Sequence, residues 1–549
     1  MASRPLRVEE LAEILAFDFK SGAIPKFRED WRLKSPVEAV LSTCSTLLSV
    51  VDVQTSLETS TVVQFTHFSV KEFLTSDRFA EKHDNISRRY HISMSPAHTF
   101  VAQACLGMLL HLDKNITSRS LTEFPLAEYT AQHWFKHARF EGVSQHTVEG
   151  MKRLFDRTKP HLSIWLWIHD PTLFFWDQRE RAERPSPPCD SPLYYATFCG
   201  LHDIAKILAI EHPQDVNSQS IDLGLSPLHL ASSVGRVDLA LMLVEHSADV
   251  SANKKDGGTS LHLASFHNYV DLAQILVERG ADMSAQDENG STALHLASFQ
   301  GHVDLARMLV ERGADLSVQK KDGSTALHLA SENDHVDLAR VLVERGADMS
   351  VQQRLRWTAL HWASYSSHVD LARMLVAHGA DVSARAEDGP TALFLASYDG
   401  HVDLARMLVE GGADVSAQTM SGTTALQLAL GYGHVSLTRM LVEHGANVSA
   451  RDLDGTTALH LASRVGDVDL AQMLVERGAD VSAQTKDGWT ALHVASVNSH
   501  VDLALMLVEN GADVSAQKKD GLTALHLASE YGHAGLAQML VECSTDVAP

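Results

Sequence analysis

From Ser226 to the end of the chain, apolar and polar positions return in one order. A Ser or Thr is followed by a short apolar cluster, a polar break and a second apolar cluster at helical spacing. These residues lie 33 apart, at Ser226, Thr259, Thr292, Thr325, Thr358, Thr391, Thr424, Thr457, Thr490 and Thr523. A degenerate copy opens 35 residues earlier, at Ser191. One unit shows the local physics. Asp322-Gly323 is a turn dipeptide, and Thr325 is a good N-cap for a short first helix. Asp337 stands in the opening turn of a second helix, where its charge complements the dipole, and Gly346 stops that helix. Leu338, Val341 and Leu342 form a stripe that one helix pair cannot hide, so neighbouring units are expected to stack.

The unit resembles the ankyrin repeat, whose wording is Asp-Gly-x-Thr-Pro-Leu-His-x-Ala, with Gly-His in mid-repeat and Gly-Ala-Asp after the second helix. Asp322 to Ala330 and Gly346-Ala347-Asp348 carry that wording, with Ala for Pro in most copies and Pro kept at Pro192 and Pro227. The resemblance covers about 360 residues and implies a mainly α fold, an ankyrin-repeat solenoid of about eleven 33-residue repeats over residues 191–549. It also implies that His328 and His335, with their counterparts in the other units, bond the turn backbone and hold no metal. Phe394 and Gln427 replace the first-helix His in two adjacent units and mark a less regular stretch.

Residues 1–182 lack this period. Val8 to Leu15 reads as an amphipathic helix, Val37 to Val51 as another, Val62 to Phe65 as a short strand, and His67 to Leu74 as the start of a further helix. That order suggests a winged-helix-like module over residues 1–85, followed by a helical linker domain over 86–182. The wordings Arg4 to Ala12, Phe65 to Leu74 and Tyr129 to Ala138 resemble the winged-helix and helical region of fungal STAND proteins of the NACHT and ankyrin type. Similar winged-helix segments are labelled after GPI inositol-deacylase. In that family a P-loop NTPase domain precedes this region, yet the chain contains no Gly-x-x-x-x-Gly-Lys-Ser/Thr. The expectation is a natural short relative, a split gene or an incomplete gene model. The resemblance places the protein in intracellular signalling such as non-self recognition.

Composition narrows the function. The chain has 549 residues, 69 acidic against 46 basic side chains, and a net charge of −23. Residues 1–190 hold 23 basic and 24 acidic side chains, so nearly all the excess lies in the repeats. Such a balance argues against nucleic acid and anionic lipid as partners. The apolar stretch Val101 to Leu112 is far shorter than the roughly 20 residues of a membrane-spanning helix. No apolar signal core occupies the first ten residues, so a cytoplasmic location is expected, with the nucleus as the second choice. Five scattered cysteines suit free thiols in a reducing compartment.

Searches for chemistry return little. No Gly-x-Ser-x-Gly elbow exists, so the deacylase label implies no hydrolase. His133 and His137 have the i, i+4 spacing of metal ligands but lack a third ligand, and a partly exposed bundle helix is the plainer reading. No catalytic residue, cofactor or metal is expected, and the chain is read as a non-enzymatic scaffold or ligand-sensing array. The alternative is a nucleic-acid-binding regulator that uses the winged helix and docks proteins on its repeats. Within the regular frame two positions vary freely, one before the Thr and one seven places after it, and a third, four places before it, is often basic. Together they give a candidate protein-binding patch of Phe299, Lys321, Arg354, Arg356, Trp357, Tyr365 and Tyr398, with Trp489 as a second anchor. The partner's identity and the oligomeric state stay open at this level.

Overall fold

The computed structural model describes residues 7–19, 24–31, 48–54, 59–65, 94–172, 183–188 and 190–545. It divides into two compact units, residues 1–282 and 283–549.

In the first unit, Val8–Leu15 is a helix as expected. The short strands Phe17–Asp18 and Lys26–Phe27 pair antiparallel behind it. Leu48–Gln54 and Thr59–Phe65 form a second antiparallel pair, which contains the strand expected at Val62. The helix expected from Val37 to Val51 is corrected at its end, because Leu48 to Val51 are strand. The cause is a run of β-branched residues, Val50, Val51 and Val53, placed opposite Val63, Val62 and Ser60. The remainder of that expected helix, and the one expected at His67, lie outside the described residues.

Four further helices, Met94–His111, Leu126–Ala138, Ser144–Leu154 and His161–Ile168, close around Trp134 and Trp165. Both indoles are fully buried and meet edge to face at 5.2 Å. Trp165 Nε1 donates to the Ala131 carbonyl at 2.9 Å, so its polar edge is satisfied inside the core. The Glu13 carboxylate accepts from the Leu126 amide at 2.9 Å and ties the first helix to this bundle. The degenerate copy at Ser191 is a true helix pair, Pro192–Phe198 and His202–Glu211, and Arg157 reaches from the bundle to an ion pair with buried Asp215 beside it. Cys105 and Cys199 are free and buried, and burial pushes the Cys105 thiol up to about 12. Cys543 is half-buried, while Cys44 and Cys189 lie outside the described residues.

The second unit stacks short first helices such as Ala326–Glu332 against the next, Ala359–Tyr365, with longer second helices such as Val336–Glu344 behind them. Leu338 and Leu342 are fully buried, so the stripe that needed a neighbour has one. Two sets of histidines join the repeats. Thr325 Oγ1 and Thr325 N both lie within hydrogen-bond reach of His328 Nδ1, at 2.8 and 3.2 Å. The opposite nitrogen, Nε2, lies 3.1 Å from the Trp357 carbonyl of the next repeat. His335 Nε2 reaches back to the carbonyl of Phe299, and His434 Nε2 to that of Tyr398.

The second set explains one glycine. Gly400 has φ +76°, and a Cβ there would sit 2.5 Å from the His434 ring. Gly412 has φ +94° but open space around it. Gly412→Ala should therefore lose only the backbone term of about 1 kcal/mol, whereas Gly400→Ala must also displace His434 from its carbonyl. Thermal melts of the two variants should differ, with Gly400→Ala lower; equal melts would show that His434 moves aside freely.

Candidate protein-docking surface

Each repeat begins at a hairpin tip, and the tips are bonded to one another. Lys321 N donates to the Asn289 carbonyl, Arg354 N to Asp322, Glu387 N to Leu355, Met420 N to Asp388, Leu453 N to Ser421 and Lys486 N to Asp454, at 2.7–2.9 Å. The ladder satisfies the tip backbone internally and leaves the side chains to face outward. Lys321, Arg354 and Arg356 are exposed, and among the described residues neither Lys321 nor Arg354 has a salt-bridge partner. Arg356 occupies the position of Gly323 in the preceding unit and takes φ 57°, a left-handed conformation uncommon for any residue but glycine. Its Nε is held by Gln352 Oε1 at 3.0 Å, which fixes the guanidinium at the tip.

The position seven residues past the Thr falls at the end of the first helix. Phe299, Tyr365 and Tyr398 are 45, 45 and 43% exposed there. The histidine bonds to the carbonyls of Phe299 and Tyr398 fix the backbone of those two residues, which lowers the entropy cost of presenting their rings to a partner.

Trp357 departs from expectation. It is only half-buried, but its ring packs against Tyr365 at 5.3 Å and against Trp362 at 4.8 Å. It belongs to an aromatic cluster rather than standing free. Trp489 is also half-buried, and Lys518 Nζ lies 4.2 Å from its ring centroid, so one face is already covered. Arg354, Arg356 and Trp357 thus share one tip, Tyr365 meets Trp357 from the end of the first helix, Lys321 stands on the adjoining tip, and Trp489 lies four repeats away.

Two aromatic partners stand outside the variable positions of the repeat. Trp362 lies one turn before Tyr365 on the same helix, and the Tyr432 ring lies tilted against Tyr398 at 4.8 Å. The helical spacing of Trp362 could have shown the first; the second joins residues of different units and has no local signal.

The histidine pair in the bundle resolves differently. His137 is buried, not part of an exposed face, with Nδ1 2.8 Å from His98 Nδ1 and Nε2 2.9 Å from the Tyr129 hydroxyl. Burial pushes it down to about 3, so it is neutral near pH 7. Both ring nitrogens are engaged away from His133, whose Nδ1 meets Lys136 instead. Among the described residues no cluster of three His, Cys, Asp or Glu could hold a metal ion. No described helix is long and apolar enough to cross a membrane.

Residues 193–287, 261–353, 347–419, 413–485 and 478–548 match the family model described as ankyrin repeats, in three-copy windows. Residues 1–85 match the one described as the winged helix domain of GPI inositol-deacylase. The azaphilone pigments biosynthesis cluster protein L of Monascus ruber is 29% identical over 263 residues, 45% of this chain and 54% of that protein. Alpha-latrocrustotoxin-Lt1a of Latrodectus tredecimguttatus is 38% identical over 63 residues, 12% of this chain and 4% of the toxin. The match thus spans about half the length of the first relative and a small part of the second.

Proposed function

Because the chain belongs to the ankyrin-repeat family, we propose that it is a non-enzymatic docking array that holds a protein partner along the tips and first-helix ends of residues 283–549. The observation that carries this reading is the exposed surface around Arg354, Arg356 and Tyr365, set on a bonded backbone. Its backbone is bonded tip to tip, and its aromatic and arginine side chains are the types from which hot spots are built. Phe299, Lys321 and Tyr398 extend the surface, Trp357 supports Tyr365 from below, and Trp489 contributes a distant contact. The wordings at residues 4–12, 65–74 and 129–138 support a finer proposal, that the array is the recognition arm of a fungal STAND-type signalling system in the cytoplasm. In that setting the winged helix, proposed to end near residue 85, and the linker domain proposed over residues 86–182 act as the spacer between switch and sensor.

Use of the winged helix on nucleic acid is not favoured, since residues 1–190 carry 23 basic and 24 acidic side chains. The test is amine-reactive cross-linking of the full chain in cell extract. Lys320 and Lys321 should link to one recurring protein; links spread evenly over the surface lysines would sink the reading. Duplex DNA added at low salt should not be retained on a filter with the chain.

A further inference from the structure

Phe394 cannot make a bond that several of the repeats use. At the equivalent place His328, His460 and His493 reach the next unit's carbonyl at 2.9–3.3 Å, and Gln427 reaches the Thr456 and Ala450 carbonyls at 2.8 and 3.2 Å. A phenyl ring can donate nothing, and here it is half-buried at the bottom of an open groove of about 500 Å³. Pro390 and Phe394 supply the floor. Met420 and Leu453, on the two following tips, supply the walls and are 77 and 62% exposed. Other tips carry Lys321, Lys486 or Lys519 where these two apolar side chains stand. The tip ladder through Met420 N and Leu453 N keeps the walls in place, so the groove is preformed.

Its rim is acidic. Asp388 lines it, its sequence neighbour Glu387 and the Asp454 that follows Leu453 stand exposed on the same tips, and among the described residues no cation pairs with any of the three carboxylates. Of the basic side chains on the same tips, Arg451 Nη2 pairs with Asp480 at 3.6 Å, while Arg385 Nη1 donates to the Gln418 carbonyl at 2.6 Å and keeps its charge, so carboxylates stay in excess. An occupant must therefore bring an apolar group for the floor and positive charge for the rim.

We propose that the groove between Phe394, Met420 and Leu453 docks a protein segment that inserts a large apolar side chain flanked by basic residues. This rests on the reading of the tips as a docking surface but uses a different patch, of opposite charge to Arg354 and Arg356.

The test is fluorescence polarisation of the full chain with a labelled peptide bearing a central Leu-Phe pair and two lysines on each side. Binding should weaken as salt rises, and should fall at least tenfold when glutamates replace the lysines. Met420→Ser with Leu453→Ser should lower affinity at least tenfold, as should Asp388→Asn with Asp454→Asn, with unchanged melting because all four side chains are on the surface. Equal binding of the two peptides, no binding, or indifference to both double variants overturns the proposal. So does concentration-dependent dimerisation that the Met420→Ser, Leu453→Ser chain has lost, which would assign the groove to a second copy. The Arg354→Glu, Tyr365→Ala chain should bind the peptide normally, so failure of the basic tip patch and failure of this groove give separate results.

Discussion

Lowering the pH from 7 to 5 should destabilise the protein by on the order of 8 kcal/mol summed over the chain, before the carboxylates begin to titrate. Burial holds His229, His295 and His361 at about 4 and His137 at about 3, against an ordinary value of 6.5. Because the folded values are depressed, the native state stays neutral while the unfolded chain takes up protons as pH falls through 6.5. Stability from these groups is thus complete above that value and drains away as pH falls toward 4. At pH 5 each group forfeits about 1.5 pH units, or roughly 2 kcal/mol. His98, His161, His328, His460 and His493 are lowered in the same direction and add to the loss.

Urea melts followed by circular dichroism at the two pH values read this directly. The protein supplies its own control in Gln427, which takes the histidine's place, accepts from the Thr424 amide at 2.9 Å and does not titrate. His361→Gln should accordingly remove about 2 kcal/mol of the pH dependence while keeping the helix cap. Identical melts at pH 5 and 7 would mean that the imidazoles are charged in the folded state.

The repeats were legible because their physics is local. Thr caps, Asp-Gly turns and a stripe at Leu338, Val341 and Leu342 each declare themselves within one 33-residue window, and repetition averages away the noise. The N-terminal region offers no such averaging. Phe17–Asp18 and Lys26–Phe27 are too short to show a period, and Leu48–Gln54 is a strand because Thr59–Phe65 lies beside it. The candidate surface was legible by position and misread in packing. Comparing equivalent sites found Trp357 and Tyr365, but nothing in that comparison shows that Trp357 leans on Trp362. The Phe394 substitution was visible as an irregularity, whereas its consequence depends on Met420 and Leu453, one and two tips onward.

The packing of Trp357 decides which variant tests the docking surface. Truncating Trp357 empties space against Trp362 and Tyr365, so a combined Trp357→Ala, Tyr365→Ala change would confound lost binding with a loosened tip. Arg354 and Tyr365 are the cleaner pair. Arg354 has no salt-bridge partner among the described residues, and Tyr365 presents nearly half of its surface to solvent. Arg354→Glu with Tyr365→Ala should leave helicity unchanged and the melt within about 1 kcal/mol of the parent, the scale of exposed substitutions. Capture of the cross-linked partner should fall by about 2–4 kcal/mol, the hot-spot range, or roughly thirty- to a thousandfold. Arg354→Lys separates the contributions further, since an ammonium keeps the charge but loses the planar fork that grips a carboxylate. If the lysine variant binds like the parent, Arg354 supplies long-range attraction alone and the affinity resides in the tyrosine. If the double variant binds like the parent, the partner sits elsewhere on the array.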